Sequence, residues 1–240
     1  MTRWLSSLTV AVCCAVAIGA AKGQADPIAD PFAPPAAPMA NPADPSNPAA
    51  YKKDVDFLLQ GEYTNMVYQG RLGYEITGLQ IIALGNGEFQ AVETRGGLPG
   101  LGADPETRTV HDVFREDNLL FFDSGDREII IENGHAVVRG IAAGRHKATL
   151  KKANRQSPTL GAEPPQDAVV LFNGTSTDQF TNGKMTENGL LEAGAIMKDP
   201  VRNFRLHIEF RTPYMPNARG QKRGNSGVYI QERYEVQILD

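Results

Sequence analysis

Cysteine is almost absent from this chain of 240 residues: there are two, Cys13 and Cys14, side by side near the start. Both fall inside an expected leader, so the exported product has no thiol, which excludes disulfide staples, thiol nucleophiles and cysteine metal sites. Positive charge is not in excess either. With 24 Lys and Arg against 28 Asp and Glu the net charge is −4, and removing Arg3 and Lys22 with the leader (−4 − 2) makes it −6. A mildly acidic product has no electrostatic case for nucleic acid. Beyond the leader no run reaches the roughly 18 apolar residues a membrane span needs. The mature protein is expected to have no membrane span.

What is present begins with that leader. Arg3 precedes an apolar run from Leu8 to Ile18 and then small residues, the layout of a signal peptide over residues 1–25, which implies a secreted or periplasmic product. Residues 26–50 follow with eight prolines, Pro27, Pro31, Pro34, Pro35, Pro38, Pro42, Pro45 and Pro48. Proline fixes φ and removes backbone donors, so this segment reads as a semi-rigid tether. Tyr51 to Gln60 reads as a short helix opening a first domain, and strand follows strand from Tyr63 to about residue 153. Asn86-Gly87 and Asn133-Gly134 each sit between β-rich runs and supply the positive φ angles of a tight type I′ hairpin turn. Residues 51–153 are therefore a small all-β domain.

The glycine-rich stretch from Gly96 to Gly102 lacks the lysine and the following helix of a phosphate loop and reads as an ordinary loop. His111, His135 and His146 are dispersed among strands without metal-ligand spacing. Pro158, Pro164 and Pro165 mark a second linker over residues 154–167. Beyond it Ala168 to Phe172 reads as a short buried strand, and Asn173-Gly174 turns the chain.

In Asn203 to Arg211 the period of two places Phe204, Leu206, Ile208 and Phe210 on one face and Arg205, His207, Glu209 and Arg211 on the other, the pattern of a half-buried strand. From Val228 onward Tyr234, Val236 and Ile238 share one parity, and Glu235 and Gln237 the other. With the apolar faces packed inward, the polar set would line a surface wide enough for a sugar, or form an ordinary solvated sheet face.

Four segments in this order, Val169 to Thr175 (VVLFNGT), Phe204 to Arg211 (FRLHIEFR), Arg223 to Ile230 (RGNSGVYI) and Tyr234 to Asp240 (YEVQILD), resemble the 3-keto-disaccharide hydrolase domain. The resemblance covers residues 168–240 and implies a concanavalin-like jelly-roll sandwich that cleaves glycosides oxidised at the sugar 3-position. The chain ends where the family's sandwich is midway, so a truncated sandwich with an unpaired edge is expected. The overall fold class is then all-β, a small β domain followed by the N-terminal part of a sandwich. The β-rich part before it resembles the domain often found ahead of this one in secreted bacterial proteins.

A 3-keto group acidifies the hydrogen on the neighbouring carbon, so a base can remove it and the glycosidic oxygen can leave, with water adding afterwards. Such a site needs a base, a donor or cation for the enolate oxygen, and an acid for the leaving group. Glu235 is the first candidate for the base or a cation ligand, and Arg223 for the enolate partner. Asp240 completes a Glu235, Gln237, Asp240 spacing similar to the catalytic pattern of laminarinase-like glucanases. Gln237, Asn225, Ser226 and His207 are candidates for binding sugar hydroxyls or, for His207, carrying a proton. Oxygen ligands such as Glu235 and Asp240 also suit a hard divalent cation such as calcium. A carbohydrate-binding module without turnover and a structural cell-envelope protein are the competing readings.

Overall fold

A computed structural model describes residues 12–13, 47–68, 71, 73–140 and 147–240. The expected leader (apart from a two-residue strand, β1, Val12–Cys13), most of the proline tether, and His146 lie outside the described residues. The regular structure of the described residues is nearly all strand, as the all-β expectation has it. It divides into two compact units, one formed by Tyr51–Pro158 with Met215–Arg219, the other holding Thr159–Tyr214 and Gly220–Asp240 with β1. Among the described residues no helix is long and apolar enough to cross a membrane.

The first unit opens with a single short helix, α1 (Val55–Leu59), inside the expected helical stretch. Asp54 caps it, its carboxylate accepting from the amides of Asp56 and Phe57 at 2.9 and 3.2 Å, which satisfies two of the donors a helix start leaves free. Eight antiparallel strands then close into a barrel: β2 (Gly61–Tyr68), β3 (Tyr74–Gly85), β4 (Glu88–Arg95), β5 (Asp104–Glu116), β6 (Leu119–Ser124), β7 (Arg127–Glu132), β8 (His135–Gly140) and β9 (Lys147–Ala153). Both expected turns form. Asn86 and Gly87 take φ 56° and 78°, and Asn133 and Gly134 take 50° and 75°, the left-handed pairs a type I′ turn demands. The ends meet where β2 pairs with β9 through Glu62↔Ala153, Tyr63↔Lys152 and Thr64↔Lys151.

Alternation sends one residue in two to the interior, where Tyr63, Leu79, Phe89, Leu120, Ile129, Ile131 and Leu150 are fully buried. Eight strands enclose a space about wide enough for side chains to fill, so this interior is a packed core. Its polar members are partnered: Glu93 receives the Arg127 guanidinium at 2.9 Å and the Ser124 hydroxyl at 2.7 Å. The Tyr63 hydroxyl donates to the Leu59 carbonyl at 2.6 Å, and burial pushes its pKa up to about 12. The glycine-rich stretch is a loop, as expected, with Leu98 buried under it.

The second unit has shorter ladders. β1 lies parallel between β11 (Leu191–Glu192) and β13 (Phe210–Arg211), while β10 (Phe180–Thr181) pairs with β12 (Ile196–Met197). The hairpin of β14 (Asn225–Ile230) and β15 (Tyr234–Leu239) forms its own two-stranded sheet. The strands of this unit thus make one three-stranded and two two-stranded sheets. The local core is Phe172 and Leu191, with Leu171, Phe180, Ala195 and Ile208 against them.

Two expectations are corrected here. Ala168 to Phe172 is not a strand, and of Asn203 to Arg211 only Phe210–Arg211 is one. Strand propensity becomes a strand only where a neighbour supplies ladder partners, and the described residues supply none to 204–209. The burial of that segment also departs from the expected alternation, with Ile208 alone of the apolar set packed on the local core. Phe204, Leu206 and Phe210 are exposed, whereas Glu209 is only 8% exposed, held by the Thr159 hydroxyl at 2.5 Å and His207 Nε2 at 3.0 Å.

Candidate functional site

The hairpin register assigns the faces. Asn225 lies opposite Leu239, Gly227 opposite Gln237 and Tyr229 opposite Glu235, so these six residues share one face. Ser226, Val228 and Ile230, opposite Ile238, Val236 and Tyr234, share the other. The expected common face of Glu235 and Gln237 is therefore present. Ser226 is on the other face, opposite Ile238.

Gly227 sits at the centre of the polar face. A Cβ there would stand 2.2 Å from Glu235 Oε1, so the absence of a side chain is what lets the Glu235 carboxylate lie across the ribbon. On the facing strand the Tyr229 hydroxyl donates to that carboxylate. The hydrogen bond and the adjacent negative charge hold the phenol above its ordinary range, so Tyr229 keeps its proton. Beside Glu235, Gln237 Nε2 donates to Gln221 Oε1 at 3.1 Å and to Asn225 Oδ1 at 3.3 Å, while Asn225 Nδ2 donates to Gln221 Oε1 at 2.7 Å. Three amides, a phenol and a carboxylate thus share one open surface.

Arg223 and Asp240 are brought together at the root of the hairpin, away from that row. Arg223 Nε meets Asp240 Oδ2 at 2.5 Å, the Asp240 amide donates to the Gly224 carbonyl at 2.9 Å, and Arg223 is only 9% exposed. A buried guanidinium joined to a carboxylate at the base of two strands fixes their register. A Cβ on Gly224 would stand 2.8 Å from the Asp240 Cβ, so this closure also depends on a glycine. Asp240 is thus engaged by Arg223, and among the described residues no group of three or more His, Cys, Asp or Glu is placed to hold a metal.

His207 has other neighbours: Glu209 Oε1 at 3.0 Å and the Thr159 hydroxyl at 3.5 Å. The pair arises from residues two apart on one extended segment, as the alternation implies, but Thr159 comes from the linker and carried no signal. Sequence reasoning likewise missed Tyr229 and Gln221. Tyr229 was findable by counting back from Glu235 across a hairpin, once the turn had been placed.

On the opposite face Tyr234 and Val236 are 66% and 62% exposed while Val228, Ile230 and Ile238 are half-buried, so the expected inward packing of the apolar parity is only partial.

Residues 167–240 match the family model described as the 3-keto-alpha-glucoside-1,2-lyase-like domain, a glycoside-related family. Comparisons with curated proteins and with solved structures return no match.

Proposed function

We propose that the chain is an exported protein whose segment 167–240 acts on 3-keto-glycosides, breaking the glycosidic bond by proton abstraction and elimination. The observation that carries this reading is the row of Tyr229, Glu235, Gln237 and Asn225 on one hairpin face inside the segment that matches a 1,2-lyase-like family. A 1,2-lyase activity on a 3-keto-glucoside has a direct chemical rationale. A ketone at C3 acidifies the C2 hydrogen; a base takes that proton, the electron pair forms the C2–C1 double bond, and the C1 oxygen departs with a proton from an acid.

In this reading Glu235 is the base. Its carboxylate, which makes no ion pair among the described residues, lies over the side-chain-less Gly227, where a flat sugar ring can approach the ribbon closely. Tyr229, held protonated, supplies the proton to the leaving oxygen. The Asn225, Gln237 and Gln221 amides bind hydroxyls through paired donors and acceptors. Arg223 and Asp240 keep the two strands in register and take no part in proton transfer.

The test incubates the full chain with a 3-keto-disaccharide and follows monosaccharide release. Glu235→Gln is expected to lower turnover by about 10²-fold or more while leaving binding within a few-fold. Turnover unchanged in Glu235→Gln removes the assigned base.

One observation favours a second reading, glycan binding without cleavage. The Tyr229 ring is 64% exposed beside three amides, the make-up of a sugar platform. Saturable binding of the 3-keto-disaccharide with no release, weakened by Tyr229→Ala, selects it.

A further inference from the structure

The barrel is closed unevenly. Strands β6 and β7 pair through five positions from Leu120↔Ile131 to Ser124↔Arg127, but β5 and β6 pair only at Arg115↔Leu120 and Glu116↔Leu119, beside their turn. β5 extends back to Asp104, so most of its length has a ladder on one edge alone, with β4.

The hydrogen-bond alternation says which groups are left over. The Arg115 amide donates to the Gly87 carbonyl at 2.7 Å, which turns the odd-numbered backbone groups of this stretch toward β4. The even-numbered groups, those of Val110, Asp112 and Phe114, face the other way, the direction in which Glu116 meets Leu119. Among the described residues no strand pairs with them. Such an edge is a template for an added strand.

The side chains along it choose the partner. Glu106, Asp112, Glu116 and Asp123 are exposed and make no ion pair among the described residues, and Arg108 is the one exposed cation of β5 and β6; Arg115 is held by Asp56 at 2.7 Å. Val110, Phe114 and Phe121 are exposed between these acids. A second copy would bring an acidic edge against an acidic edge, the like-charge arrangement that natural sheets use to prevent self-pairing. The same charges attract a cationic strand, and the exposed aromatic and valine side chains give its alternate residues an apolar surface.

We propose that the open β5 edge between Asp104 and Phe114 binds an extended basic peptide by strand addition. The main-chain groups of Val110, Asp112 and Phe114 supply the ladder, and the acidic row sets the preference for Lys or Arg at alternate positions. This proposal is independent of the glycoside reading, because every residue it uses lies in the barrel unit.

The experiment titrates the full chain against a fluorescently labelled decapeptide of alternating Lys and Val and follows anisotropy, with a decapeptide of alternating Glu and Val as control. Saturable binding of the first, weakened by salt, and none of the second are expected. Val110→Pro deletes one edge-facing amide without touching the β4 ladder and is expected to weaken binding roughly tenfold, the effect of one lost hydrogen bond of about 1.4 kcal/mol. Asp112→Lys is expected to weaken the Lys peptide and strengthen the Glu peptide. If Val110→Pro fails to fold, Asp112→Lys decides alone. No binding of the Lys peptide, or equal binding by the parent and Asp112→Lys, overturns the proposal. So does a chain that sediments as a dimer and becomes monomeric in Val110→Pro, which assigns the edge to a second copy.

Discussion

The two units of this chain reach order by different means. In the barrel, eight strands close a ring with one long open edge on β5 and bury large side chains, with a Glu93–Arg127–Ser124 cluster tied into the same interior. In the segment from 167 to 240, ladders are mostly two residues long, the core is centred on Phe172 and Leu191, and the one sustained ladder is a hairpin with no fully buried residue. A two-stranded hairpin is marginal on its own; here glycine-dependent contacts and the Arg223–Asp240 pair hold it. Stability concentrates where function is not evident, and the candidate site sits on the part with least burial. That is the common arrangement for binding surfaces, which draw on the less stable regions of a fold.

The largest expected effect breaks the barrel's side of this contrast. Arg127→Met removes the cation facing Glu93, whose side chain is nearly enclosed, and leaves a carboxylate buried with only Ser124 as donor. Removing one partner of a buried pair costs about 3–5 kcal/mol. Thermal unfolding followed by circular dichroism should fall sharply for Arg127→Met and recover in the double variant with Glu93→Leu. An Arg127→Met midpoint equal to that of the parent would show that the cluster is not part of what holds the barrel.

The contrast also explains what was legible in the sequence. Asn86-Gly87 and Asn133-Gly134 were readable because a type I′ turn has a local requirement for positive φ, and the face shared by Glu235 and Gln237 was readable because it is fixed by parity alone. Closure of β2 on β9 was not, since it joins residues about ninety positions apart that no local pattern links. Glu209 was misplaced for a related reason. Alternation assigns faces but not which face is covered, and here a hydroxyl from the linker, Thr159, makes burial of the carboxylate tolerable.

A middle-sized effect appears with pH. Tyr63 has its pKa raised to about 12 by burial, against roughly 10 in the unfolded chain. A raised value means the folded state keeps its proton where the unfolded state has lost it, so stability falls as pH rises from about 10 to 12, by roughly 1.4 kcal/mol per unit. Lys152, whose ammonium stands 5.8 Å from the Tyr63 ring, has its pKa lowered by burial and contributes the opposite slope as it loses its charge. The difference between parent and Tyr63→Phe isolates the tyrosine. Denaturant midpoints at pH 8 to 11.5 should show the parent declining relative to Tyr63→Phe above pH 10, and parallel curves would deny the burial of the phenol its effect.

The smallest expected effect sharpens the hairpin's side. Its turn is made by Gln231 and Glu232 at φ 55° and 56°, closed by the Arg233 amide on the Ile230 carbonyl at 3.2 Å. These are the left-handed angles of a type I′ turn adopted by two residues without the special tolerance of asparagine and glycine. The barrel uses Asn-Gly at similar φ angles, in loops of two residues where this one has three, so placing that pair here, Gln231→Asn with Glu232→Gly, relieves strain of about 1 kcal/mol. Amide hydrogen exchange across β14 and β15 should slow several-fold in the double variant, while exchange in the barrel strands stays as it was. Because Tyr229 and Glu235 are aligned by this turn, tighter closure should also hold the Glu235 carboxylate more firmly over Gly227. Exchange left unchanged by the transplanted turn would mean that the hairpin is held from its root, by Arg223 and Asp240, and that the turn follows.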